Sequence, residues 1–247
     1  MANKSTKRVA VITGSAQGIG QAAAVALAKR GENIALLDLD EATETAELVR
    51  EAGGEAAIVK ADVTSEQDWN RARDAVSEQF GRADILINGA GIYPFVPFDA
   101  LDYATWSVVH RVNLDGVFLG CRTFAPLMAE NGWGRILNFA TASMLSEVPG
   151  FSHYVSSKMA VIGLSRTMAN ELGGRGINVN VLAPSVTETP GTAMAPDELK
   201  RATWSRQPIS RMLTTADIVG PILFFTGDDC AMVTGQTLLV DGGGAKL

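Results

Sequence analysis

Tyr154 and Lys158 stand four residues apart, a spacing that puts both side chains on one face of a helix. An unperturbed tyrosine titrates near ~10, too high for a base at neutral pH. An ammonium beside it favours the phenolate, and further positive charge nearby adds to the effect. Taken alone, such a pair is more often an ordinary amphipathic tyrosine and lysine, so the chemistry needs company.

That company begins at Thr13-Gly14-Ser15-Ala16-Gln17-Gly18-Ile19-Gly20, between a β-branched run and an Ala-rich helical stretch. Gly14 permits a sharp turn, Gly18 lets a pyrophosphate approach the backbone, and Gly20 lets helix and strand pack closely. The helix start, with Ile19 in its first turn, then presents free N–H groups and positive dipole character to phosphates. Glycine turns that bind nothing are common, but the strand–turn–helix context narrows the reading to a dinucleotide. Asp38 ends the second strand, where a carboxylate accepts hydrogen bonds from both adenosine ribose hydroxyls and repels a 2′-phosphate. Leu39 follows it, and Gln17 occupies the turn where a basic residue would meet that phosphate. All three point to NAD over NADP; an Asp capping the next helix is the plainer reading of Asp38. Asp62 and Val63, after the third strand, offer the adenine one polar and one apolar contact. Asn88-Gly89-Ala90-Gly91 lets the backbone after the fourth strand pass close to the cofactor.

The elements that must position these residues alternate between strand and helix. Strands are expected at Arg8–Thr13, Asn33–Asp38, Ala56–Lys60, Asp84–Asn88, Arg135–Ala140, Asn178–Leu182 and Thr237–Val240. Helices are expected at Gly20–Arg30, Glu41–Ala52, Glu66–Phe80, Trp106–Asn131 and Tyr154–Leu172. Strands apolar throughout and separated by helices imply a parallel sheet covered on both faces. The expected fold is α/β: a single-domain, Rossmann-type, doubly wound parallel sheet of about seven strands, with helices on both faces, over residues 1–247. The longest irregular connection, from Ala183 to about Thr215, carries a substrate loop at about 184–214.

Composition sets the outer limits. With 247 residues, 47% of them apolar and 19% charged, the chain can bury a sizeable core, which excludes intrinsic disorder. The net charge of −6 without a basic cluster argues against nucleic acid or an anionic membrane as partner. No apolar run approaches a bilayer span, the MANKSTKR start has no apolar signal core, and a cytoplasmic location is expected. Cys121 and Cys230 form no framework, and no Cys/His cluster has metal spacing.

In order and spacing, Thr13–Gly20, Asp38, Asp62, Asn88–Gly91, Asn113, Tyr154-x-x-x-Lys158 and Val233-Thr234-Gly235-Gln236 resemble the short-chain dehydrogenase/reductase family across essentially the whole chain. Ala90–Pro94, Asn131–Arg135 and His153-Tyr154 look more narrowly like its bacterial NAD-dependent secondary-alcohol dehydrogenases. The resemblance implies that Tyr154 is the general base for alcohol oxidation and the acid in reverse. Lys158 would bind the nicotinamide ribose and lower the Tyr154 pKa, and Asn113 would hold a water linking Lys158 to solvent. The plainer reading of Asn113 is a polar side chain bonding backbone within a helix. The nicotinamide carboxamide would meet the segment after Pro184, with Thr189 matching the family's threonine and Thr187 offering its backbone N–H.

The chain departs from the family pattern twice. Thr141 stands where a serine is usual; its hydroxyl can orient a substrate oxygen as serine does, but the β-branch is stiffer and bulkier. Ser143, two residues on, competes for that role and faces the same side of an extended segment. Ser185 stands where glycine commonly follows the proline, which questions the local backbone path.

Candidate walls of the substrate pocket are Tyr93, Phe95, Ser143, Met144, Leu145, Val148, Phe151, His153, Met194 and Trp204. Few charges lie among them, so the expected partner is a small, apolar or aryl secondary alcohol or ketone. Core or subunit contacts are an equal reading for the aromatics, and His153 equally fits a solvent-facing helix start. A homotetramer is expected by resemblance only. The rival functions are a 3-oxoacyl, polyol or steroid enzyme of the same family, a non-catalytic dinucleotide-binding protein, and a halohydrin-dehalogenase-type lyase.

Overall fold

The computed structural model describes residues 5–146, 148–193, 195 and 197–245. Seven parallel strands form one sheet: β1 (Val9–Thr13), β2 (Asn33–Asp38), β3 (Ala56–Lys60), β4 (Ile85–Asn88), β5 (Gly134–Phe139), β6 (Ile177–Pro184) and β7 (Thr237–Val240). Their order is β3-β2-β1-β4-β5-β6-β7, so the winding reverses between β1 and β4. At such a reversal the loops leaving two neighbouring strands diverge and open a crevice at the carboxyl ends.

The central strands β1, β2 and β4 are largely apolar on both faces because both faces are covered. Along β1, Val9 and Val11 join a core layer with Trp69, Val76, Phe80 and Phe124. Ala10 and Ile12 point the other way, into a layer with Ala23, Leu27, Val49 and Ile222. The first layer is built on α3 (Glu66–Phe80), α5 (Gly116–Glu130) and α6 (Ser152–Gly173), and the second on α1 (Gly18–Arg30), α2 (Thr43–Glu51) and α9 (Thr215–Phe225). Local signals fix several helix ends. The Ser65 hydroxyl caps α3 by accepting from Asp68 N, and Gly81 closes it in the left-handed conformation at φ 68°.

The expected strands and helices are found within one or two residues of their anticipated bounds, with three exceptions. The long helix around Trp106–Asn131 is divided: α4 (Tyr103–His110) passes through a π-turn at Arg111–Asp115 into α5. The connection read as irregular contains two short helices, α7 (Pro190–Ala193) and α8 (Asp197–Trp204), and a bridge from Thr187 to Leu213. Helix α9 was not anticipated at all. No helix among the described residues is long and apolar enough to cross a membrane, and none of their His, Cys, Asp or Glu side chains form a metal-sized cluster.

Candidate active site

The expected cofactor residues gather at the carboxyl ends of β1, β2 and β4. Thr13 Oγ1 accepts the N–H groups of Gly89 and Ala90, each at 3.1 Å, tying the two sides of the crevice together. Gly14 has φ 66°, and a Cβ there would lie 2.9 Å from Ala90. A Cβ on Gly20 would overlap the Gly14 carbonyl oxygen. Both contacts demand glycine. Gln17 precedes α1 without any side-chain cap, and no acidic residue occupies the first turn. The N–H groups of that turn are therefore left facing the crevice, a fit for pyrophosphate.

Asp38 does not cap α2, whose N-cap is Ala42. Its carboxylate instead accepts from Ala16 N at 2.8 Å and Asp40 N at 3.2 Å. Asp62 accepts from Thr64 N and Thr64 Oγ1, both at 2.8 Å, while the Val63 carbonyl takes the Trp69 indole N–H at 2.9 Å. The turn after β3 is thus fixed by its own residues. The Asn88 side chain points away from the crevice: Nδ2 donates to Asn138 Oδ1 at 2.7 Å, and Asn138 Nδ2 donates to Ser165 Oγ at 2.8 Å. It stitches β4 to β5 and α6, leaving only backbone for a cofactor at Asn88 and Gly89.

The candidate reactive pair lies beside this cradle. Tyr154 and Lys158 stand one turn apart on α6, Lys158 buried and Tyr154 partly so. Burial pushes the Tyr154 phenol up to about 12, partly offset by its hydrogen bond with the Thr141 side chain. Burial likewise pulls the Lys158 ammonium down to about 8. In the protein alone, desolvation therefore outweighs the help that the Thr141 hydrogen bond gives the phenolate. Asn113, fully buried in the π-turn, donates to Ile92 O and accepts from Ile92 N, each at 2.9 Å, and donates to Ser157 Oγ at 3.2 Å. It bonds backbone, but that of the β4 loop rather than of its own helix. Such π-turns often mark functional positions. The Cβ that Gly91 lacks would sit 3.2 Å from Asn113 Oδ1 and 3.4 Å from Lys158 Nζ.

Tyr154 opens onto a cleft of about 240 Å³. Of the expected residues, Ile19, Tyr93, Thr141, Ser143, Val148, Phe151, Pro184, Thr187 and Thr189 line it. The rings of Tyr93 and Phe151 stand edge-on to Tyr154 at 5.9 and 5.7 Å. Thr141 Oγ1 accepts the Ser143 N–H at 3.1 Å, so both candidates for the orienting hydroxyl reach the cleft and only Thr141 meets the phenol. Gly18 stands against Thr189, 3.4 Å from its would-be Cβ. Ser185 leaves the backbone path intact, since its N–H donates to Val240 O at 2.9 Å and continues the β6–β7 ladder.

Several expected wall residues are placed elsewhere. His153 is fully buried, with Nε2 at 3.1 Å from Pro94 O, so it neither faces the pocket nor meets solvent. Met144 packs on Ala140, Ile162, Val181 and Ala183 beneath the cleft. Leu145 lines an adjoining hollow of about 570 Å³ that shares Ser143, Val148, Ser185 and Thr203 as walls. Phe95 packs against Phe151 from outside, and Trp204 is off the cleft. Met194 lies outside the described residues. The walls not anticipated come from the segment after β6: Val186, Gly191, Thr192, Ala195, Lys200 and Thr203. Thr192 braces that segment, its hydroxyl donating to Thr187 O at 2.7 Å.

Comparison with known proteins agrees with this fold. Residues 14–244 match the family described as enoyl-(acyl carrier protein) reductase. The 2-(R)-hydroxypropyl-CoM dehydrogenase of Xanthobacter autotrophicus is 37% identical, with 95% of this chain and 97% of that protein covered. The 3-oxoacyl-[acyl-carrier-protein] reductase of Thermotoga maritima is 34% identical, over 96% and 97%. A structure from Beutenbergia cavernae, solved as an NAD(P)-dependent gluconate 5-dehydrogenase with NADP bound at low occupancy, superposes with a TM-score of 0.90 at 35% identity, covering 97% of each chain. The chain belongs to the short-chain dehydrogenase/reductase family. It is an oxidoreductase of that family, whose members bind a nicotinamide cofactor.

Proposed function

We propose that this oxidoreductase uses NAD to interconvert a small secondary alcohol and a ketone, with Tyr154 as base in oxidation and acid in reduction. The observation that carries the reading is the Tyr154 phenol paired with the Thr141 hydroxyl in a cleft that Ile19 and Thr189 of the cofactor cradle also line. When bound, the oxidised nicotinamide supplies the hydride acceptor and a positive charge. The chain's own residues supply position and proton movement. Thr141 and Tyr154 hold the carbinol oxygen, and Tyr154 takes its proton. Lys158 keeps an ammonium beside the phenol below about pH 8, and with the cofactor's charge it offsets the burial that disfavours phenolate. Asn113 fixes the backbone at Ile92, and with it the wall around Lys158.

NAD is favoured because Asp38, Asp40 and Glu41 surround the adenosine end with negative charge and no basic side chain occupies Gln17. Val148, Phe151 and Val186 favour an apolar or aryl body for the substrate. A polyol or 3-oxoacyl substrate is the second reading, favoured by Thr192 and Thr203 on the same walls and by the names of the relatives. A homotetramer belongs to the proposal, and light scattering on the purified protein tests it. The deciding experiment is NADH formation on racemic 1-phenylethanol, with NAD⁺ and NADP⁺ in parallel and a panel of polyols and hydroxy acids alongside. Turnover with NAD⁺ alone supports the reading; equal rates with NADP⁺, or preference for a neutral polyol, overturn the corresponding half.

A further inference from the structure

The cleft carries one charged side chain among its described wall residues, Lys200 of α8. Its side chain is only 15% exposed, and its one ionic partner among the described residues, Asp197, is 99% exposed and 3.5 Å away. A carboxylate so fully hydrated and so distant neutralises little of the ammonium's charge. The Nζ is held in place by the Ala193 carbonyl at 3.0 Å, the last residue of α7. The stem of Lys200 is largely covered, while its Nζ is positioned by backbone at a mostly apolar cleft, where a lysine keeps its charged head available. An anion entering the cleft would meet that charge with little competition from Asp197.

From this we infer that Lys200 recognises a carboxylate on the substrate, which is then a secondary alcohol or ketone with an apolar body and an acidic group remote from the carbinol. The inference deepens the proposed function and rests on it. A monoanion is indicated because the wall offers a single compact ammonium, a match for one charge, with no second cation among the described wall residues for a phosphate dianion. Tyr154 and Thr141 grip the carbinol end; Lys200, from a different element, grips the other.

The test compares 4-(1-hydroxyethyl)benzoate with 1-phenylethanol, the same carbinol with and without the carboxylate. In the wild-type enzyme with NAD⁺, kcat/KM is expected to favour the benzoate. In Lys200→Met the ratio of the two kcat/KM values should fall about 10- to 100-fold, the range for a lost charge-assisted hydrogen bond. Lys200→Arg should keep the ratio within a few fold. A general disturbance of α8 moves both rates together and leaves the ratio unchanged. Dissociation constants of 4-acetylbenzoate and acetophenone on the NADH-loaded protein give the same ratio without turnover, so failure of the proposed reaction is told apart from failure of Lys200. No wild-type preference for the carboxylates, or an equal ratio in Lys200→Met, overturns the inference.

Discussion

The Asp38 carboxylate accepts the Ala16 N–H at 2.8 Å, so the last residue of β2 holds the glycine-rich turn after β1. One side chain thus braces the turn in addition to the ribose-binding role proposed for it. Sequence suggests only the second. The first means that changing the cofactor preference at this position also loosens the cradle.

Asp38→Ala is therefore expected to raise KM for NAD⁺ about 10- to 100-fold, from the loss of charge-assisted hydrogen bonds. KM for NADP⁺ should change little or fall, because the repelling charge is gone. Steady-state kinetics with both cofactors check this; an unchanged NAD⁺/NADP⁺ preference would remove Asp38 as the selector.

Tyr154→Phe keeps the ring packing against Tyr93 and Phe151 while deleting the hydroxyl. Turnover should drop about 10²- to 10⁴-fold, the usual share of general acid–base catalysis. NADH binding, followed by fluorescence, should stay within a few fold. Substantial remaining turnover would place the proton transfer elsewhere.

Hydrogen bonding from Thr141 pulls the Tyr154 phenol back down. Thr141→Val should therefore shift the alkaline rise in alcohol oxidation to higher pH as well as lower kcat. Thr141→Ser should restore both, and Ser143→Ala should do much less damage. The opposite ranking would hand the orienting role to Ser143.

Burial of Lys158 leaves a signature in stability. Its folded pKa of about 8 lies below the ordinary 10.5, so between these values the unfolded chain binds the extra proton and stability rises with pH. Tyr154 works in the opposite sense between 10 and about 12, where the unfolded phenol ionises first. Lys158→Met should raise stability near pH 7 by roughly 3 kcal/mol and flatten the rise from pH 8 to 10. Urea melts across that range read the difference; identical profiles for the two proteins would mean that the ammonium is well solvated.

Much of the scaffold is written in short-range patterns. The apolar runs within β1, β2 and β4, together with Gly14 and Gly20, make strands and turn legible without coordinates. Helix α9 hid because Ile218–Phe225 is apolar all round and contains Pro221, which blurs any helical period. Its available signal was the capping box, in which the Thr214 side chain accepts from the Asp217 backbone and Asp217 reaches back to Thr214 N at 2.8 Å. The site residues on regular elements were readable from spacing, as Tyr154 and Lys158 are. Wall residues were not, because facing depends on tertiary packing. His153 is drawn inward to the Pro94 carbonyl, whereas Lys200 turns into the cleft from a short helix inside a connection read as irregular.

The π-turn at Arg111–Asp115 also acts as a phase shifter. An α-helix turns through about 100° per residue, so one inserted residue rotates everything beyond it by roughly that angle. Helix α4 accordingly presents its inner edge to α6, while α5 presents its own to β4 and α3. Deleting a single residue between Arg111 and Asp115 would restore a regular helix and set one half facing the wrong neighbours. The bulge is thus a mechanical coupling that lets one rod meet two sets of neighbours on the same side of the sheet, with Asn113 mounted at the joint.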